Sequence, residues 1–223
     1  MVAAAEAAAI SETGRTDLLA LRLAAEFVGP VPVADVTVTA RVVRAARTAV
    51  LVETSVAAED RECLRGQVWL VRVDDTSAIA PALDPESPLP TTPPDPPSGI
   101  PYIDSIEWVE FVGGLNTPGP GAAWARPRLL IVDDLPLSGL QRAALVGDSA
   151  SGLSSELDWS VWSFLNVDLD VHLGRPMHGD WLHMAAATRI GPAGSGLARS
   201  VLSDVRGELG CTAQTLVVEP IRG

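Results

Sequence analysis

The chain has 223 residues, of which 47% are hydrophobic, and a formal net charge of −12 at pH 7. This length allows one large domain or two small ones, and either can bury a core. The acidic charge argues against a nucleic-acid-binding surface. No uninterrupted apolar run is long enough to cross a bilayer. The first ten residues contain Glu6 and no basic residue, which is not typical of a signal peptide, so we expect a cytoplasmic protein.

The N-terminal third predicts a helix followed by an antiparallel meander. Residues Met1 to Thr13 carry no firm pattern. A helix is predicted from Thr16, as its N-cap, to Phe27, because Gly29-Pro30 would end it. Alternating or apolar runs then predict three strands, over Val36–Val43, Ala49–Val56 and Glu62–Val73.

A proline-rich segment, Asp75–Tyr102, divides the chain. Proline supports neither a helix interior nor a central strand, so this segment is interpreted as an extended linker. We therefore expect an N-terminal unit over residues 1–75, a linker over 76–102 and a C-terminal unit over 103–223.

The pattern of helix and meander returns after the linker. Two strands are predicted first, over Ile106–Val112 and Ala122–Leu130, and a helix opens over Leu137–Leu145, with a possible continuation toward Leu157. Four strands follow, over Phe164–Leu173, Trp181–Ile190, Gly196–Ser203 and Cys211–Val218. A helix packed on an antiparallel sheet, occurring twice, indicates an α+β fold with an internal duplication.

The strand Phe164–Leu173 has an unusual polar face. Read at a period of two, Leu165, Val167, Leu169, Val171 and Leu173 point to one side, and Phe164, Asn166, Asp168, Asp170 and His172 to the other. Two carboxylates two residues apart are disfavoured in a strand. This strand is therefore the first place to search for a functional residue.

An ordered set of short motifs in the second half carries a family resemblance. It comprises Asn166-Val-Asp168-Leu, Arg175-Pro, Gly179-Asp-Trp181-Leu, Gly196-Leu-Ala-Arg199, Asp204-x-x-Gly207 and Ala213-Gln214-Thr-Leu. The set resembles the C-terminal half of TesB-like acyl-CoA thioesterases (acyl-CoA thioesterase II), and the actinobacterial-type members most. Residues 36–73 resemble the first half of the family more loosely, with Arg47 and Trp69 as markers. The resemblance implies a double hotdog fold.

The resemblance also implies a chemistry. In that family an Asp, a Thr or Ser, and a Gln hold the water that attacks an acyl-CoA or other acyl thioester. These roles fall on Asp168, Thr188 and Gln214, with backbone N–H groups at a helix N-terminus meeting the oxyanion. No metal, cofactor or nucleophilic side chain is required. Arg175, Arg189 and Arg199 are candidates for binding the coenzyme A phosphates, with ordinary strand-edge arginines as an equal alternative.

The alternation of the strands supports these roles unevenly. Gln214 lies on a mostly apolar face, where an unpaired amide costs roughly 1–3 kcal/mol, so it is either satisfied by a neighbour or functional. Asp168 lies on the polar face, where a solvated carboxylate is the simpler interpretation. Only a β-bulge or an interface between the two units would bring it to the other two residues.

The sequence departs from the family at one loop, so functions other than catalysis remain as alternatives. Residues 11–16 carry the single glycine Gly14 where the family has a Gly-Gly loop, so either the chain begins late or the first unit has lost a piece. If that loop supplies the oxyanion donors, activity would be reduced. The alternatives are a non-catalytic hotdog protein that binds an acyl thioester or a protein partner, and a purely structural subunit. We also expect a homo-oligomer, and buried free thiols at Cys63 and Cys211.

Overall fold

The computed structural model describes residues 1–83, 88–114 and 117–221. None of the helices in these ranges is long and apolar enough to span a membrane. The first part of the chain forms α1 Val2–Thr13, β1 Leu18–Phe27, β2 Thr37–Ala45, β3 Ala49–Ala58 and β4 Arg61–Arg72. The second part forms α2 Pro101–Asp104, β5 Ile106–Val112, β6 Gly121–Pro127, α3 Gly139–Gly147, α4 Ala150–Leu153, β7 Trp162–Asn166, β8 Asp168–Leu173, β9 Leu182–Ile190, β10 Ser195–Asp204 and β11 Gly207–Pro220.

All eleven strands belong to one sheet with the order β2-β3-β4-β1-β8-β11-β10-β9-β6-β5, and β7 pairs with β11 beside β8. Every recorded pairing is antiparallel, and the central pair, β1 with β8, joins the two parts of the chain. Helix α1 packs on β2, β3 and β4, α3 packs on β1, β6, β8 and β9, and α4 packs on β9 and β10. Two helix-and-sheet units sharing one sheet form the α+β double hotdog that the resemblance predicted.

The internal duplication is regular in the strands. β3 begins at Ala49 and β10 at Ser195, so corresponding residues of the two strands lie 146 positions apart. The same offset relates β1 to β7 and β8, β2 to β9, and β4 to β11, and the order β2-β3-β4-β1 is repeated as β9-β10-β11-β8. We call residues 1–73 the N-terminal half and residues 101–221 the C-terminal half.

The predicted helix from Thr16 to Phe27 is wrong, because this stretch is strand β1. It pairs with β4 on one edge and with β8 on the other. A run that is apolar on both faces is typical of a central strand as much as of a buried helix, and the two neighbours decide between them. The helix lies earlier, over Val2–Thr13, and ends at Gly14, which adopts a left-handed conformation with φ 66°.

The remaining elements follow the prediction with local differences. The strands β2 to β6 lie where they were expected, within a few residues at their ends. The described residues between Val73 and Ile100 form neither helix nor strand, as expected for the proline-rich segment. Both cysteines are free, and burial is correct for Cys63 but wrong for Cys211, which is exposed on an outward-facing position of β11.

Candidate active site

A buried carboxylate, Asp148, lies between the end of α3 and the start of α4. Two side-chain amides from the sheet donate to its Oδ1 atom: Nδ2 of Asn166 at 2.8 Å and Nε2 of Gln214 at 3.2 Å. The Gln214 amide also donates to the backbone carbonyl of Asp148, at 3.2 Å. The second carboxylate oxygen, Oδ2, accepts no hydrogen bond from the described residues, so one oxygen is held and the other is free to act.

Burial raises the pKa of Asp148 above its usual value. The hydrogen bonds from Asn166 and Gln214 act in the opposite direction, because they stabilise the ionised form, but they only partly offset the burial. A carboxylate with a raised pKa and one free oxygen is a more basic group than a solvated aspartate. This is the property required of a general base that works near neutral pH.

A β-bulge brings Asn166 to this carboxylate. Asn166 pairs with Leu216, whereas Asp170 pairs with Ala213, so the register slips by one residue between them. The slip leaves Val167 and Asp168 facing the single residue Thr215. Side chains therefore change faces at the bulge, and Asn166 points inward with Leu169 while Asp168 points outward.

The bulge contradicts the alternation that was predicted for Phe164–Leu173. Leu165, expected on the apolar face, is 72% exposed. Asp168 accepts from the backbone N–H of Thr215 at 2.5 Å and from its hydroxyl at 3.1 Å. It therefore satisfies a backbone donor beside the bulge, on the opposite side of the sheet from Gln214. The structure does not bring Asp168 to the other two residues that the resemblance implied.

Gln214 and Thr188 do share one inner row of the sheet. Both pair with Ala198, which lies between them, so their backbones are two strand spacings apart, about 10 Å. Gln214 is completely buried, and its Oε1 accepts no hydrogen bond from the described residues. An unpaired buried acceptor is costly, and it is typical of a functional site.

Thr188 contacts the helix rather than the carboxylate. Its hydroxyl lies 2.8 Å from that of Ser154, and Ser154 donates its own proton to the carbonyl of Ala150. Because Ser154 has only one proton, Thr188 must be the donor in this pair. Thr188 thus ties the end of α4 to β9.

An apolar pocket of about 250 Å³ lies against Asp148. Its wall comes from both halves of the molecule. The N-terminal half contributes Met1, Val2, Ala3, Leu23, Ala25, Phe27, Val56 and Leu64, and the C-terminal half contributes Tyr102, Ile131, Gln141, Ala144, Leu145, Asp148 and Leu169. Asp148 is the one carboxylate of this lining. The pocket therefore combines an apolar wall with one carboxylate.

The N-terminus of α1 also borders this pocket, through Val2 and Ala3. The first N–H groups of a helix have no partner within the helix, and they carry the positive end of its dipole. No side chain caps this end of α1, and no acidic residue lies in its first turn. The start of α1 and a carboxylate with a raised pKa therefore border the same cavity.

Tyr102, in the short helix after the proline-rich segment, braces the helix that carries Asp148. Its hydroxyl donates to the carbonyl of Leu145 at 2.6 Å and accepts from Ser149 at 3.3 Å. Burial, with the nearby charge of Asp148, raises the pKa of the Tyr102 hydroxyl, which therefore stays protonated. The residues on both sides of Asp148 are thus held in place.

The three arginines proposed for coenzyme A binding have different surroundings. Arg175 forms a bidentate ion pair with the buried Asp204, at 2.6 and 2.8 Å, and donates to the carbonyls of Glu208 and Gly207. Burial alone would raise the pKa of Asp204, but Arg175 and two backbone N–H groups outweigh it and lower the pKa. Arg175 is therefore a structural brace. Arg189 and Arg199 are exposed on the outer face of the sheet.

The carboxylate Asp148 and its partner Asn166 were not identified as site residues from the sequence. Asp148 follows the predicted helix Leu137–Leu145 in a Gly-Asp-Ser sequence that is equally typical of an ordinary helix end. Asn166 was assigned to the solvated face, because the alternation was read straight through Val167. A polar residue three positions past an amphipathic helix was the one available signal, and it is weak.

Comparisons with known proteins identify the family of the chain. The sequence model of the acyl-CoA thioesterase C-terminal domain matches residues 84–218, and that of the N-terminal domain matches residues 1–71. The chain belongs to the acyl-CoA thioesterase family. No curated protein sequence matches this acyl-CoA thioesterase family member.

Solved structures of TesB-like proteins share the fold. A tesB protein of Mycobacterium avium subsp. paratuberculosis is 17% identical with a TM-score of 0.69, covering 97% of this chain and 84% of that one. The acyl-CoA thioesterase II TesB2 of Mycobacterium marinum is 14% identical with a TM-score of 0.66, covering 96% and 85%. A hot dog fold protein of unknown function from Alicyclobacillus acidocaldarius is 16% identical with a TM-score of 0.74, covering 100% and 86%.

Proposed function

We propose that this acyl-CoA thioesterase family member hydrolyses an acyl-CoA thioester to the free acid and coenzyme A, with Asp148 as the general base. The observation that carries the proposal is the buried carboxylate beside an apolar pocket, with one oxygen held by two amides. Family membership supports the reaction class. The residue roles are inferred from the geometry.

In the proposed reaction, Oδ2 of Asp148 removes a proton from a water molecule, whose oxygen attacks the thioester carbonyl carbon. The Oε1 atom of Gln214 would accept the other hydrogen of that water, which gives this acceptor a partner. The carbonyl oxygen becomes an oxyanion and meets the free N–H groups at the start of α1. Collapse of the tetrahedral intermediate breaks the C–S bond, and protonated Asp148 returns its proton to the departing thiolate.

The acyl group is proposed to occupy the pocket beside Asp148. Its lining is apolar apart from a few groups, which suits an unsubstituted hydrocarbon chain. Arg189 and Arg199 are poorly placed for the coenzyme A phosphates, because they lie on the outer face of the sheet, on the opposite side from the pocket and Asp148.

The other residues that the resemblance selected take different roles in this proposal. Asp168 is a positioning residue, because its carboxylate satisfies the Thr215 N–H at the bulge that turns Asn166 inward. Thr188 positions α4 through Ser154. Gln214 keeps its place beside the attacking water.

The test compares two substitutions, Asp148→Asn and Asp168→Asn, by release of free thiol from a series of acyl-CoAs. Loss of a general base lowers kcat by roughly 10²–10⁴-fold, and we expect this for Asp148→Asn alone. Asp168→Asn keeps an oxygen that accepts from Thr215, so a loss below about tenfold is expected. A large loss for Asp168→Asn with little for Asp148→Asn would contradict the proposal. Saturable acyl-CoA binding without thiol release by the wild-type protein would instead support a non-catalytic binding protein.

A further inference from the structure

Helix α1 consists mostly of small apolar residues, and Glu6 is its one charged side chain before Glu12. Its buried positions are Val2, Ala5 and Ala9. Alanine side chains project little from a helix, so their packing fixes its rotation and axial position only weakly. In helical interfaces that are otherwise apolar, a single polar residue can specify the register. A polar contact from Glu6 would therefore determine how α1 sits against its neighbours.

Glu6 makes such a contact with α3 of the C-terminal half. The Nε2 atom of Gln141 donates to Oε2 of Glu6 at 2.7 Å. Within the described ranges this is the one side-chain hydrogen bond between α1 and the C-terminal half. Gln141 is also held through its backbone, because its N–H donates to Ser138, the N-cap of α3, at 3.3 Å. The two helices are therefore joined at one defined point.

This point lies between the two walls of the pocket beside Asp148. The first turn of α1 lines the pocket through Val2 and Ala3, and α3 lines it from Gln141 to Asp148. Gln141 and Asp148 are seven residues apart, which is two helical turns or about 10 Å, so they share a face of α3. A rotation or shift of α1 would consequently move one wall relative to the other and to the carboxylate.

We propose that Glu6 and Gln141 are a positioning pair that fixes the separation of the two walls, which rests on the proposed function in taking this pocket as the acyl site. The pair acts through the walls and has no part in the chemical step. A long acyl chain contacts both walls, whereas a two-carbon group contacts little of either. Loss of the pair therefore weakens the binding of long chains and spares short ones, whereas a general loss of stability affects both alike.

The experiment measures equilibrium binding of octyl-CoA and ethyl-CoA, two thioethers that cannot be hydrolysed, by isothermal titration calorimetry. Gln141→Glu replaces the hydrogen bond by two carboxylates that face each other and repel. We expect the affinity for octyl-CoA to fall by roughly tenfold, the worth of one hydrogen bond to a charged group, and that for ethyl-CoA by less than about twofold. Equal losses for both ligands, or no loss for octyl-CoA, overturn the proposal.

Reversal of the pair gives the matched comparison. Adding Glu6→Gln to Gln141→Glu restores one amide donor and one carboxylate acceptor with their positions exchanged, so most of the octyl-CoA affinity should return. Adding Glu12→Gln instead removes the same charge from an exposed position at the far end of α1 and should restore nothing. Circular dichroism verifies that each variant is folded. A reversed pair that binds octyl-CoA no better than Gln141→Glu alone overturns the proposal.

These outcomes are separate from those for hydrolysis. A wild-type protein that binds octyl-CoA, responds to both substitutions as expected and releases no thiol from octanoyl-CoA would refute the proposed function and support the positioning pair. A protein that hydrolyses octanoyl-CoA but binds octyl-CoA equally well with Gln141→Glu would do the reverse. A wild type that binds octyl-CoA no better than ethyl-CoA would overturn the pair together with the acyl pocket.

Discussion

The two halves of the molecule use the same strands to present different surfaces to their helices. In the C-terminal half the inner row reads Gln214, Ala198 and Thr188 across three strands, and Asn166 lies on the next strand. The positions 146 residues earlier are Val68, Val52, Val42 and Ala20. The first two of these valines are completely buried, and Ala20 is nearly so. The backbone is repeated, but the polar groups occur in one half only.

In the proposed reaction, this difference assigns the two tasks of a thioester site to different halves. The C-terminal half supplies the carboxylate and the two amides that hold it. The N-terminal half supplies much of the apolar wall of the pocket and the free N–H groups of α1. In a duplicated fold, one half can thus carry the catalytic residues while the other lines the acyl-binding pocket. Exchanging residues between the halves tests this division.

The largest effect is expected from giving the C-terminal half the residue of its counterpart, Gln214→Val. The substitution removes a donor to Asp148 and the proposed acceptor for the water. Loss of one positioned hydrogen-bonding group in an active site costs roughly 10²–10³-fold in kcat. Thiol release from a medium-chain acyl-CoA measures it, with circular dichroism to verify folding. A loss below tenfold would remove Gln214 from the proposed site.

The reciprocal substitution, Val68→Gln, is the control for that exchange. It places an amide where the N-terminal half provides no polar partner in the corresponding row, so it should destabilise the protein by roughly 1–3 kcal/mol. The melting temperature should fall by several degrees, whereas Val73→Gln at an exposed position should leave it unchanged. An unchanged melting temperature for Val68→Gln would show that the inner row tolerates polarity in both halves.

A larger side chain in the part of the pocket that the N-terminal half lines should shift the preferred acyl length. Ala25 on β1 lines the pocket and is nearly buried, so Ala25→Leu reduces the pocket volume. Each methylene that no longer fits forfeits about 0.8 kcal/mol, roughly fourfold in kcat/KM. Octanoyl-CoA should lose most and short acyl-CoAs little. Ala24→Leu, at the next residue but on the outer face, should retain the wild-type profile; an identical shift for both would contradict the pocket assignment.

The Asn166→Ala substitution gives that position the residue of its counterpart, Ala20, and should move the pH profile. Asn166 stabilises the ionised form of Asp148 and lowers its pKa, while burial raises it. Without the amide the pKa rises further, so the acid-side limb of kcat/KM should move to higher pH. Ser163→Ala, at an exposed position on the same strand, is the matched control. A limb that stays in place or moves to lower pH would refute the role of Asp148 as base.

The smallest effect is expected for Thr188→Val, the residue found at the counterpart Val42. The hydroxyl donates to Ser154, and a hydrogen bond of this kind contributes roughly 0.5–1.5 kcal/mol to stability. Activity should fall by less than about tenfold, and Thr188→Ser should behave like the wild type. A hundredfold loss in kcat without a change in stability would instead mean that Thr188 holds the attacking water.

The strands of the meanders were predictable because alternation and turns are local signals. Strands β2 to β4 and β9 to β11 lie close to their predicted ranges. The helix α1 and strand β1 were not predictable in the same way. An apolar run such as Leu18–Phe27 is compatible with both structures, and its neighbours β4 and β8 lie far away in sequence.

The site was predictable only in part, for a related reason. Gln214 stood out as an amide on an apolar strand face, and the structure places it beside a carboxylate. That carboxylate is Asp148, which lies outside the sheet, and the bulge at Val167 that turns Asn166 toward it is indicated by no local propensity. Asp148 depends on where α3 ends relative to β11, a tertiary fact that periodicity does not contain.

The bulge also makes strand length a determinant of chemistry. Were the strand to run straight through Val167, Leu165 would replace Asn166 opposite Asp148, although the composition of the protein would be unchanged. Among related proteins, a residue aligned with Asn166 can therefore face the interior in one and water in another, and counting residues from the bulge is the safer way to transfer a role.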